Sequence, residues 1–110
     1  MSKINIPELL EGTYSSNPKT RSQSVRRLCP CDVKANVPEV WARILEMVQD
    51  PDPSTRYQVL HVLCDGSPRK VEAEALEALD KLRNDPVKRI RKNARKALGE
   101  YSRTGCLNVL

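Results

Sequence analysis

The chain has 110 residues, with 19 Lys and Arg against 14 Asp and Glu, a net charge of +5, and 30% charged against 39% hydrophobic residues. That length and balance exclude both a two-domain enzyme with a deep buried cleft and a chain too polar to fold. No apolar run approaches the roughly 18 residues of a membrane span, so no membrane partner is expected. The start, Met1-Ser2-Lys3-Ile4-Asn5-Ile6-Pro7, lacks the apolar stretch of a secretory leader. Four cysteines in that context (Cys29, Cys31, Cys64, Cys106) point to reduced thiols and the cytoplasm. Cys106 stands one position too far from the end for prenylation.

An internal repeat runs through the chain. Arg21, Arg56 and Arg91 are 35 residues apart, and Leu28, Leu63 and Leu98 keep the same spacing, as do Cys29, Cys64 and Gly99. Pro51 returns as Pro86, and Asn17-Pro18 as Asp52-Pro53. So many coincidences in one register predict a single domain of three units, about 1–34, 35–69 and 70–104, with a short tail over 105–110.

Each unit reads as two helices. The first carries Ile6, Leu9 and Leu10, then Asn17-Pro18, then Val25 and Leu28. In the second, Asn36-Val37-Pro38-Glu39 has the form of a capping box. Trp41, Ile44, Leu45 and Val48 follow with the spacing of one helical face. Asp50-Pro51-Asp52-Pro53 stops that helix and starts the next, with Asp52 as cap and Pro53 in the first turn. Thr55, Val59, Val62 and Leu63 form the next face, which ends at Asp65-Gly66-Ser67-Pro68. The third unit carries Leu76, Leu79 and Leu82, then Asn84-Asp85-Pro86, then Ile90, Ala94, Ala97 and Leu98. Nowhere does polarity alternate with the period of a strand, so the fold is all-α.

The turn Asp50-Pro51-Asp52-Pro53-Ser54-Thr55-Arg56, echoed by Asn84-Asp85-Pro86 with Arg91, resembles the HEAT repeat; the first unit departs from it, with Ser15 in place of the Asp. The resemblance implies a short right-handed α-solenoid of three antiparallel helix pairs, the second helices lining its concave face. It also implies that Asp50 and Asp85 bridge neighbouring units, which makes Arg21, Arg56 and Arg91 a structural ladder. Function is left open, because the family spans scaffolds, transport receptors and some enzymes.

Charge divides along the repeat. Residues 1–16, 37–51 and 70–85 carry −1, −2 and −2, whereas 17–28, 52–64 and 86–98 carry +4, 0 and +6. With the apolar faces turned inward, the second helices present outward rows: Lys19, Ser54 and Arg89; Ser22, Tyr57 and Lys92; Gln23, Gln58 and Asn93; Arg26, His61 and Lys96. Lys19, Gln23, Arg26, Tyr57, Gln58, His61, Arg89, Lys92 and Lys96 are therefore the candidate partner-binding residues of a non-catalytic scaffold. Its basic concave surface suits an acidic protein or peptide segment. Non-specific nucleic-acid binding is the alternative, disfavoured because aromatics are 4% of the chain and base-stacking platforms are few. A zinc-stabilised adaptor is a second alternative, since Cys29, Cys31, His61 and Cys64 are zinc-type ligands. Cys29 and Cys64 share a repeat position, however, which stacking holds about 9–10 Å apart, so small core residues explain them better and no metal or cofactor is expected. With one His and no phosphate loop, no catalytic residue is assigned. A monomer or weak homo-oligomer is expected, with Leu107, Val109 and Leu110 either capping the last unit or marking a self-association surface.

Overall fold

In a computed structural model of the protein, residues 5–29, 37–65, 67–105 and 107 are described. Among the described residues six α-helices follow one another: α1 (Ile6–Gly12), α2 (Pro18–Arg27), α3 (Pro38–Glu46), α4 (Pro53–Cys64), α5 (Glu72–Leu82) and α6 (Lys88–Thr104). Single 3-10 turns lengthen α3 at Met47–Gln49 and lead into α5 at Arg69–Val71. No strand occurs among the described residues.

The helix starts are written in side chains. Asn5, Asn17 and Asp52 accept the exposed amides of the first turns of α1, α2 and α4, at 2.9–3.0 Å, and a proline lies in each first turn. The expected capping box at Asn36 is corrected. The residue capping α3 is Val37, without a side-chain bond, and Pro38 opens the helix; Asn36 itself lies outside the described residues. Val87 likewise caps α6 without a side-chain bond, and Asp85 Oδ1 accepts its amide at 2.9 Å instead. Gly105 ends α6 with φ +72°, the left-handed turn that glycine adopts without a Cβ clash.

The core is assembled between two layers of helices. The central helix α4 packs on both α2 and α6, and Val59, Leu60, Val62, Leu63 and Cys64 are fully buried. Val40, Trp41, Ile44, Met47 and Val48 face them from α3 and its extension, and Ala75, Ala78, Leu79 and Leu82 from α5. Leu45, Leu76 and Leu98, expected in the core, are only partly buried against it. The small Ala75 and Ala78 let α5 lie close to its neighbours, which turns the bulkier Leu76 toward the rim. Leu107 is buried in the core; Val109 and Leu110 lie outside the described residues. Helix α1 is the thin edge, with Ile6, Leu9 and Leu10 half-buried and no residue fully so. Gly12 lets α1 approach α2, because a Cβ there would stand 2.2 Å from Ser24 Oγ.

An arginine ladder joins the pairs. Arg21 Nε and Nη2 donate to the two Asp50 oxygens at 3.0 and 3.1 Å, and its Nη1 donates to the Ser15 and Ser16 carbonyls. Arg56 makes the same set with Asp85, at 2.7 and 3.2 Å, and with the carbonyls of Asp50 and Pro51. Arg91 repeats the carbonyl half, donating to Asp85 O and Pro86 O at 2.8 and 3.3 Å. Each carboxylate is thus gripped bidentately across the interface while the third nitrogen secures the turn beneath. Arg21 and Arg56 thereby join successive pairs, while Arg91 secures only its own turn.

Candidate binding face

The nine candidate residues all lie on α2, α4 and α6. Lys19, Gln23, Arg26, Arg89, Lys92 and Lys96 are exposed, and Tyr57, Gln58 and His61 are half-buried. Four of them, Arg26, Tyr57, Gln58 and Arg89, line one open cleft of about 360 Å³ with Pro53, Ser54, Val87 and Ile90. Lys19 and Gln23 on α2 and Lys92 and Lys96 on α6 are not part of its lining, and His61 belongs to a second cluster, with Cys29 and Asp65.

The convergence is diagonal. Straight rows pair Arg26 with His61 and Lys96, yet the cleft joins Arg26 of α2 to Tyr57 of α4 and Arg89 of α6. A helical side chain leans toward its own N-terminus, and an arginine is long enough to pass a full turn. Arg26 therefore reaches back beyond its row.

Arg89 is preset. Its guanidinium carbon lies 4.1 Å from the Tyr57 ring centroid, and Nη2 donates to Tyr57 Oη at 3.0 Å. Gln58 and Ser54 add amide and hydroxyl groups, and Pro53, Val87 and Ile90 add apolar area. These last three carry no signal of a binding role in the repeat pattern, since they belong to helix starts and the core stripe.

The cysteine pattern resolves differently from the set Cys29, Cys31, His61 and Cys64. Cys64 is fully buried, and burial, then the charge of Asp65, pushes its thiol up to about 12. Cys31 lies outside the described residues. Asp65, the cap at the end of α4, instead meets Cys29 and His61: one ligand atom from each lies within 4.8 Å of the others, and Cys29 Sγ donates to Asp65 Oδ2 at 2.9 Å. The missed signal was the spacing of four between His61 and Asp65, which shares a helical face as well as a spacing of three does.

On the side of the first helices, Pro38, Trp41, Ala42, Leu45, Lys70, Val71 and Glu74 line a more apolar hollow of about 320 Å³. No described helix is long and apolar enough to cross a membrane.

Compared with known proteins, residues 6–99 match the family of HEAT repeats. No curated protein and no solved structure matches the chain.

Proposed function

The chain belongs to the HEAT-repeat family, which generally serves as a protein-interaction scaffold and is typically non-catalytic, and we propose that this member holds an acidic protein or peptide segment across α2, α4 and α6. The observation that carries the reading is the cleft itself, where two guanidinium groups from opposite sides, Arg26 and Arg89, flank Tyr57, Gln58 and Ser54. Guanidinium groups match carboxylates with paired donors, and an amide and a hydroxyl between them suit a peptide backbone. The stacking of Arg89 on Tyr57 supports affinity, because a side chain already placed loses less freedom on binding. Lys19, Lys92 and Lys96, with Gln23 beside them, extend the same sign along the neighbouring helices, which favours rapid, salt-sensitive encounter.

Nucleic acid is the weaker reading, since Trp41 is buried and Tyr57 is already stacked under a guanidinium. Fluorescence anisotropy with a labelled Glu-rich peptide and, separately, a DNA duplex distinguishes the two. Peptide binding is expected to weaken with salt and to fall at least about tenfold in Arg26→Glu/Arg89→Glu, given about 1.5–3 kcal/mol for each charged hydrogen bond. Unchanged peptide binding in that variant rejects the cleft. Tighter binding of the duplex, lost in the same variant, replaces the peptide with a phosphate backbone.

A further inference from the structure

The cluster where α2 and α4 end has a chemistry that the anion-binding cleft does not use, and it stands whether or not that cleft binds an acidic segment. Cys29 comes two residues after α2, His61 lies in the last turn of α4, and Asp65 caps the same helix. Two chain segments 36 residues apart thus bring a sulfur and a carboxylate together at 2.9 Å, with an imidazole nitrogen within 4.8 Å of both. Cys29 is buried, and His61 and Asp65 are half-buried, so the place is sheltered but reachable from solvent.

We propose that Cys29, His61 and Asp65 form a zinc site that clamps the end of α2 to the end of α4. Thiolate, imidazole and carboxylate are all zinc donors, with bonds of about 2.3, 2.0 and 2.0 Å, which place tetrahedral ligand atoms about 3.3–3.6 Å apart. The sulfur and the carboxylate stand 2.9 Å apart and the imidazole nitrogen lies within 4.8 Å of both, close enough for side-chain rotation to bring the three into position. A thiolate and an imidazole select against calcium and magnesium, which take oxygen ligands. Charge balances as well. The Cys29 thiol releases its proton to solvent as the sulfur–zinc bond forms, and one thiolate, one carboxylate and a neutral imidazole then offset the two charges of the ion. The ends of α2 and α4 add the partial negative charge of their outward carbonyl groups. Three protein ligands leave the fourth position to water. The clamp lies at the junction of the thin first pair with the buried central helix.

The test uses the full chain, purified without a metal-affinity tag, stripped with chelator and kept reduced. Zinc(II) and cobalt(II) are the probes. One equivalent is expected to bind, with a thiolate-to-cobalt charge-transfer band and a melting temperature raised by zinc. Cys29→Ser, His61→Gln and Asp65→Asn, each checked for retained helicity, are expected to bind at least tenfold more weakly, and Cys29→Ser to lose the band. A folded wild-type protein that shows no band and no zinc-dependent melting shift overturns the proposal, leaving Cys29 and Asp65 as a hydrogen-bonded pair. Undiminished binding in folded Cys29→Ser overturns it equally.

Discussion

Tyr101 on α6 donates its phenol hydrogen to Glu72 Oε1 at 2.8 Å, fastening the last helix to the start of α5. That hydrogen bond, with burial and the Glu72 charge adding to it, raises the phenol above its usual value near 10. The folded state therefore prefers neutral Tyr101 more strongly than the unfolded state does. Its contribution to stability is complete below about pH 10 and is lost as the pH climbs through the folded value. Glu72→Gln, which keeps an acceptor but removes the charge, is expected to lower the phenolate titration toward 10. Ultraviolet absorbance in a Tyr14→Phe/Tyr57→Phe background checks this. Arg43 shows how little a charge count says about a single side chain. It reaches the Thr13 hydroxyl and carbonyl at 3.0 and 2.8 Å and stacks 3.7 Å from the Tyr14 ring centroid, locking α3 to the end of α1. In the sequence it is one positive charge on an acidic helix, because only its Glu46 partner is local, and Thr13 lies 30 residues away.

At the level of elements the ladder ranks the ion pairs. Arg56 and Asp85 are 12% and 4% exposed, whereas Arg83 and Asp80, a neighbouring i,i+3 pair, are 52% and 65% exposed. Removing Asp85 strands a guanidinium inside the interface and also frees the Val87 amide that it accepts. Asp85→Ala is expected to cost about 3–5 kcal/mol, and Asp80→Ala less than about 1 kcal/mol, measured from urea midpoints at constant slope. The bridging pairs were expected at the sequence level, through the resemblance to the HEAT repeat. Asp50 and Asp85 recur at one repeat position, and it is the resemblance that implied their bridging of neighbouring units. The cap Asp52 was legible for a local reason, a carboxylate directly before a proline that opens a helix. The core faces of α3 and α5 were only partly so, because a hydrophobic stripe fixes a direction to within a residue or two. Close packing then chose Val40, Met47, Ala75 and Ala78.

Across the whole molecule stability is graded from edge to centre. Helix α1 buries no residue fully, while α4 contacts helices on both sides and buries six. Native-state hydrogen exchange is expected to release the α1 amides first and those of Val59 to Leu63 last, near the free energy of global unfolding. Uniform protection across both helices would show instead that the molecule opens as one unit. With so few helices, the Cα radius of gyration, 13.1 Å, is that of a globular chain of this size rather than a long solenoid. By itself the sequence determined the helical architecture, the family, the recurrence of the three arginines and the segregation of positive charge to the second helices. Each of those is a periodic or local property, and 35-residue spacing carries it directly. Only the tertiary structure decided which basic residues share a cleft, and that Asp65 rather than Cys64 meets Cys29 and His61. Both outcomes depend on how side chains lean and on which neighbouring positions the core absorbs, and those are set by packing between helices, which no spacing along one chain records.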